Sequence, residues 1–338
     1  MNASAFVILT HNTFAEATMK VLCLGEVLID MLSQGAAPKD GNTPAMKPFQ
    51  PYAGGAPANV AVAVAKLGGQ SAMVSKVGDD TFGHFLIEML THYNVNTDFV
   101  WKTEGANTAL AFVNLDEDGE RSFDFYVDNA AHKHITEQDL AALSCNDNTV
   151  LHFCSGSISG PELIPSTQYI VDKARQENML ICLDINYRPA FWDNTEHAPS
   201  RIDDIARRVS IIKASKEELA ALYGEENADA KVQEWLQSGV KVVLVTDGGE
   251  PIHYVTEAFS GTLASPKMDV KDTTAAGDAF IGGFLYFLST NVENSHAFSD
   301  WATSIENVSE ATAFAIRCGA YTVTQYGAFS ALPTQSNL

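Results

Sequence analysis

Residues 270–283 read VKDTTAAGDAFIGG, a run of small polar residues leading into apolar positions Phe280, Ile281, Phe284, Leu285, Phe287 and Leu288. That spacing predicts a helix starting near residues 275–277. Small side chains there let a ligand approach the main chain, and the unpaired N–H groups of a helix start cradle an anion. Asp278 falls in the first turn, where a carboxylate can take a proton from a hydroxyl attacking a phosphoryl group. An acidic first-turn residue also complements the helix dipole, and Asp278 taken alone would be accounted for by that.

Working outward, residues 54–78 read GGAPANVAVAVAKLGGQSAMVSKVG. Gly54 and Gly55 permit close backbone approach, Asn59 offers both a donor and an acceptor, and an Ala/Val-rich helix ends at Gly68-Gly69. Asn59 could equally be a helix cap. Residues 21–25 and 26–31 read as a strand pair, residues 81–93 as a helix, and residues 108–127 as a hairpin centred on Asp118-Gly119. From residue 150 onward, strands at 150–154, 180–184, 209–213 and 240–246 alternate with helices at 163–176, 216–223 and 228–237. Such alternation predicts a mainly parallel sheet covered on both faces, with ligands beyond the carboxyl ends of its strands. Asp184 with Asn186, Ser215 with Glu218, and Thr246 with Gly248 all fall at those ends.

The 338 residues carry 21 basic and 42 acidic side chains, a formal charge of −21 that repels phosphate backbones and anionic membrane surfaces. Nucleic acid and membrane are therefore not expected partners. Cys23, Cys145, Cys154, Cys182 and Cys318 form no CxxC pair and read as small buried hydrophobes in a reducing, cytoplasmic compartment. No apolar run reaches the length of a membrane span, and residues 5–10 lack the basic flank of an export signal. Residues 1–18 differ in character from the rest of the chain and read as an N-terminal extension to a single domain over 19–335. His132 and His134 have no third ligand at metal-site spacing and read as surface or lid histidines, and Trp192 as core or rim packing.

Together the glycine-rich segment and residues 272–283 resemble the two signatures of the ribokinase-like (PfkB-type) carbohydrate kinases. Asn59, Ala61, Gly68 and Gly78 match the first, and Asp272 through Gly283 the second. The segments at 54–69, 108–126, 184–192 and 327–333 are most similar to the fructokinase branch. The resemblance implies a three-layer α/β/α sandwich with a mainly parallel sheet and a small β-sheet lid, its strands within 26–53 and 107–128. It implies ATP and Mg²⁺ as the donor system, a small sugar as acceptor, and a homodimer through the lid. Fructose would give fructose 6-phosphate. Asp278 matches the family's base, and Ala275, Ala276 and Gly277 its anion hole. Asp30, Gly54, Gly55 and Asn59 match sugar-binding positions. Glu218 matches an acidic residue linked to magnesium through water. Lys213, Ser215, Thr246 and Gly248 fall on the nucleotide side, Lys213, Thr246 and Gly248 in its loops. Asp272, Thr274 and Gly327 match a monovalent-cation site, usually potassium.

The chain departs from the family pattern in several places. Ser215 stands where many relatives have Asn, and Ala275 replaces a frequent Gly. Pro251 alters the turn after Gly248, and Val127 and His132 replace an Arg and an Asp common after the lid strand in fructokinases. Another acceptor therefore stays open, among them ribose, 2-keto-3-deoxygluconate and aminoimidazole riboside. So does a sugar-binding regulator without turnover. The chain contains no GxxxxGK[ST], and no GxGxxG follows a strand, which disfavours P-loop kinases and dinucleotide-dependent dehydrogenases.

Overall fold

The structure, a computed structural model, describes residues 19–33, 47–115 and 121–338. The N-terminal extension and the Asp118-Gly119 turn lie outside the described residues. The chain opens with β1 (Lys20–Leu24), β2 (Leu28–Ser33), β3 (Phe49–Gly54), α1 (Ala56–Lys66), β4 (Gln70–Gly78), α2 (Thr81–His92) and β5 (Asn96–Thr103). The hairpin β6 (Ala109–Leu115) and β7 (Arg121–Tyr126) comes next, followed by α3 (Glu137–Ala141), β8 (Thr149–Cys154) and α4 (Ile164–Gln176). Then come β9 (Leu180–Asp184), α5 (Ala198–Ala206), β10 (Ile211–Ser215), α6 (Lys216–Tyr223), α7 (Ala228–Gln237) and β11 (Val242–Thr246). Strands β12 (Ile252–Val255) and β13 (Ser260–Leu263) precede α8 (Ala276–Asn291), α9 (Ser295–Trp301) and α10 (Ile305–Thr322).

Nine strands form one sheet in the order β13-β12-β11-β10-β9-β8-β1-β4-β5, parallel from β11 to β5 and antiparallel only at the β12–β13 edge. Its central strands are apolar throughout because helices cover both faces. Val21, Cys23, Val150 and Cys182 pack towards α1, α8 and α10. Leu22, Leu24, Leu151 and Phe153 pack towards α4, α5, α6 and α7. The result is the three-layer α/β/α sandwich expected from the sequence.

Helix α1 buries every residue from Pro57 to Val64. Two glycines of α8 explain how so small-chained a helix packs so closely. A Cβ on Gly282 would lie 2.6 Å from the Ala63 Cβ, and one on Gly283 would lie 2.6 Å from the Cys318 sulfur. Larger residues there would force α1 and α10 off the sheet, an overpacking that costs about 1–3 kcal/mol.

Strands β3, β2, β6 and β7 form a second, four-stranded sheet that serves as a lid. Within it β2 and β6 run parallel, and the other pairs antiparallel. The reading of residues 21–31 as a strand pair is corrected here. β1 pairs with β4 and β8 in the main sheet, whereas β2 pairs with β3 and β6 in the lid. The chain changes sheet across Gly25-Glu26-Val27, with Gly25 at φ +143° and so close to Pro57 that a Cβ would sit 2.7 Å from its ring. Among the described residues, no helix is long and apolar enough to cross a membrane.

Candidate active site

Helix α8 starts where the sequence places it. Its cap, Ala275, adopts the left-handed conformation at φ 59°, a strained geometry for a residue with a Cβ. The Ala276 N–H turns back onto the Thr273 carbonyl at 3.3 Å. Among the described residues, the Gly277 and Asp278 amides have no main-chain partner. Asp278 is buried, and its carboxylate accepts from Asn59 Nδ2 at 2.7 Å on one oxygen and from Asn186 Nδ2 at 3.3 Å on the other. Burial pushes its pKa up, while the Asn59 bond and the nearby Lys213 charge pull back.

Beneath the helix start lies a buried ion pair. Lys213 Nζ is 3.0 Å from Asp184 Oδ1 and 3.2 Å from Oδ2, and a Cβ on Gly277 would come within 3.2 Å of the same ammonium. Burial works to lower the Lys213 pKa, but Asp184, Glu218 and Asp278 outweigh it and hold the lysine charged. Burial drives Asp184 upward and Lys213 opposes that. With ammonium bridging both carboxylate oxygens, the pair is ionised. Lys213 was expected in a nucleotide-side loop; it is instead inside β10, buried under α8.

Glu218 and Ser215 form a capping box at the start of α6. Glu218 accepts from Ser215 N at 2.8 Å and from Tyr187 N at 3.1 Å, tying the loop that carries Asn186 and Arg188 to the helix. Ser215 thus has a definite local task as a cap. Among the described residues, no group of three or more His, Cys, Asp or Glu could hold a metal ion alone.

The carboxyl ends of β1, β8 and β9, the start of α8 and the lid enclose a cavity of about 540 Å³. Asp30, Gly55, Asn59, Ala275 and Asp278 line it, joined by Asn186, which the sequence places at a ligand-bearing strand end, and by Glu26 and Arg188, which were not among the expected site residues. Gly54 is dictated by Asp30, because a Cβ there would overlap Asp30 Oδ2 at 2.1 Å. Gly55, at φ +104°, lies against the Glu26 carbonyl. Phe125 of the lid meets Phe191 edge-on at 4.6 Å and closes one side. A depression of similar volume, about 550 Å³, opens at the opposite strand ends around Arg175, Arg208 and Lys241 and contains none of these groups.

Asp272 pins two loops together, accepting from Thr274 N at 2.8 Å and from Gly327 N at 3.0 Å. Thr246 ends β11 and Gly248 follows in a turn closed by Glu250 N on the Asp247 carbonyl at 2.8 Å, so Pro251 is accommodated just before β12. Neither Thr246 nor Gly248 reaches the cavity. His132 is buried, which corrects its expected surface position, while His134 is exposed and bonded to Asn129. Trp192 is buried as packing, near Tyr187 and Arg201.

Comparison with known proteins places this geometry in context. The model of the pfkB family carbohydrate kinases matches residues 18–335. A protein of Arabidopsis thaliana named "Probable fructokinase-6, chloroplastic" is 37% identical over 317 residues, covering 93% of this chain and 80% of its own. The crystal structure of a fructokinase with bound ATP from Xylella fastidiosa is 36% identical and superposes with a TM-score of 0.86 over 94% of this chain and 96% of that one. A fructokinase double mutant from Vibrio cholerae O395, bound to fructose, ADP and potassium, is 29% identical with a TM-score of 0.82, covering 95% and 97%. Family match, chain-long identity and superposition agree with the two signatures, and the chain belongs to the pfkB family of carbohydrate kinases.

Proposed function

We propose that the chain transfers the γ-phosphoryl group of ATP to the 6-hydroxyl of fructose, giving fructose 6-phosphate and ADP. The observation that carries this is the buried Asp278 carboxylate, held by Asn59 and Asn186 on the wall of a sugar-sized cavity at a helix start. Fructokinases that match nearly the whole chain support fructose as the acceptor. Asp278 accepts the proton as the hydroxyl oxygen bonds phosphorus in line and the bond to the ADP oxygen breaks. The Gly277 and Asp278 amides face the charge of the transferring group, so positioning and electrostatics supply most of the catalysis. Asp30 and Asn59 bind sugar hydroxyls; the buried Asn59 Oδ1 has no partner among the described residues and is a ready acceptor for one.

ATP lies on the side of Thr246 and Gly248, with Lys213 beneath the anion hole. Glu218 would hold magnesium through water, its two oxygens each already accepting a main-chain N–H. This agrees with the ion's habit of keeping its waters and substrate phosphates as ligands. When bound, the ion neutralises phosphate charge. The potassium-bound Vibrio relative and the loop junction at Asp272, Thr274 and Gly327 support a monovalent-cation site.

A second reading keeps the chemistry on another small sugar or riboside. It is favoured by Val127 and His132, both buried beside the lid where an Arg and an Asp were expected. The decisive experiment is ATP-dependent ADP release in magnesium, with and without potassium, over fructose, ribose, 2-keto-3-deoxygluconate and aminoimidazole riboside. Turnover on fructose alone is expected. Preference for another sugar moves the specificity, and sugar binding without any turnover overturns the kinase reading in favour of a regulator.

A homodimer through the lid is part of this proposal. Phe49, Phe112 and Tyr126 stack edge-on at 5.1 and 5.2 Å on the lid face opposite Asp30, and Tyr126 is 65% exposed. Light scattering should show dimers, and monomer alone would contradict it. The five unpaired cysteines support a reducing compartment such as the cytoplasm.

A further inference from the structure

Glu26 stands in the partition between two cavities. It lines the site of about 540 Å³ together with Asp278, and also a small space behind, of about 10 Å³, shared with His132, Gly156 and Ser157. That space is roughly the size of one water molecule. Two of its walls carry buried polar atoms with no partner among the described residues, His132 Nδ1 and Ser157 Oγ. Glu26 is itself buried, and its carboxyl accepts from its own main-chain N–H and, at Oε1, from Ala56 N at a long 3.3 Å. Its Oε2 lies towards Gly156, where a Cβ would be 3.7 Å away. Burial pushes this carboxyl up to about 7, with Asp278 acting in the same direction and Arg188 against it.

A buried carboxyl whose main-chain bonds come from its own N–H and one long bond from Ala56 still has acceptor capacity to fill, and leaving it unfilled is costly. Behind it, the orphaned His132 and Ser157 atoms supply polar partners for a bridging water. In front of it, the groups it faces are those of the acceptor cavity. His132 is also the residue that replaces an expected Asp, so this arrangement goes with a departure already visible in the sequence.

We propose that Glu26 is a specificity-determining residue whose carboxyl bonds a sugar hydroxyl across the cavity from the one Asp278 deprotonates, with His132 a positioning residue that steadies it through one buried water. The proposal rests on reading the cavity as the sugar site of a kinase. Glu26 could instead serve only as an anchor for the start of α1 through Ala56, and the two roles differ in what they discriminate.

The test uses the full chain as wild type, Glu26→Gln, Glu26→Ala, His132→Leu and His132→Gln. Sugar binding by calorimetry and steady-state turnover are measured with fructose and with deoxyfructoses that each lack one hydroxyl. Losing a hydrogen bond to a charged group should cost Glu26→Ala about 10- to 100-fold in fructose affinity and kcat/KM. The KM for ATP should be unchanged and kcat at saturation should stay within about threefold. One deoxyfructose, already weak with wild type, should be weakened no further by Glu26→Ala. His132→Leu should raise the KM for fructose, and His132→Gln, which keeps a polar atom in the small space, should restore most of it. Equal losses on every analogue, or a KM for ATP that rises with that for sugar, would reduce Glu26 to a loop anchor and overturn the proposal. Because binding is measured separately, the discrimination among analogues supports the proposal even if wild type turns none of them over. A wild type that neither binds nor phosphorylates any sugar overturns this proposal and the kinase reading together.

Discussion

Asn59 and Asp278, 219 positions apart in the chain, meet at 2.7 Å, the amide of the first donating to the carboxylate of the second. This bond joins the two signature segments. It is possible because α1 and α8 pack at the closeness that Gly282 permits. Without it, the Lys213 and Arg188 charges would be left to oppose burial at Asp278.

Asp278→Asn should keep the fold and nucleotide binding but lower kcat at least ~100-fold, the usual contribution of a positioned general base. ADP release at saturating ATP and sugar measures it, and near-normal turnover would remove Asp278 from that role.

The Asn59 bond stabilises the charged form of Asp278 and opposes burial, which raises its pKa. Asn59→Ala should therefore raise that pKa further and keep the base protonated to higher pH. The acid limb of kcat/KM should move towards higher pH. A profile of kcat/KM against pH for both proteins shows whether it does.

Lys213 and Asp184 are buried under the anion hole, so removing one partner strands the other charge. Lys213→Met should cost about 3–5 kcal/mol, and the double variant Lys213→Met/Asp184→Leu should recover much of it. Urea titrations of the three proteins at one pH provide the comparison.

His152 lies inside β8 with both ring nitrogens unpartnered among the described residues, and burial holds its pKa down at about 3, below its ordinary 6.5. Below pH 6.5 the unfolded chain takes up this proton and the folded chain does not, so the stability contribution is lost progressively as pH falls towards 3. His152→Leu should be spared this, gaining on wild type by up to about 1.4 kcal/mol per pH unit below 6.5. Equal slopes of stability with pH in the two proteins would contradict it.

Gly54→Ala would set a methyl on Asp30 Oδ2, 2.1 Å away. The KM for the sugar should rise about 10-fold or more through the displaced carboxylate, with the KM for ATP unchanged.

Much of this molecule was legible in one dimension because its signals are local. Parallel strands buried on both faces are short apolar runs, and the start of α8 is marked by a change from small polar to apolar residues. The glycines flanking α1 mark positions that only a residue without a Cβ can hold. Helix α10 gave no comparable signal. Its buried face runs Val308, Ala311, Thr312, Ala315, Ile316, Cys318 and Thr322, mostly small residues whose burial is imposed by α8 rather than announced by hydropathy. The strands at 20–24 and 28–33 were visible, but their separation into two sheets was not, since pairing depends on partners far along the chain.

The sequence by itself determined the fold class, the family resemblance and the residue types gathered at the start of α8, because each rests on neighbours within a turn or a strand. Only the tertiary structure decided that Asn59 and Asn186 grip the two oxygens of Asp278, and that Lys213 lies under the helix instead of in a loop. It also decided that His132 is buried behind Glu26. Those are matters of burial and of contacts between distant segments, and the pKa of a carboxylate or the pairing of a lysine is set by its surroundings in space.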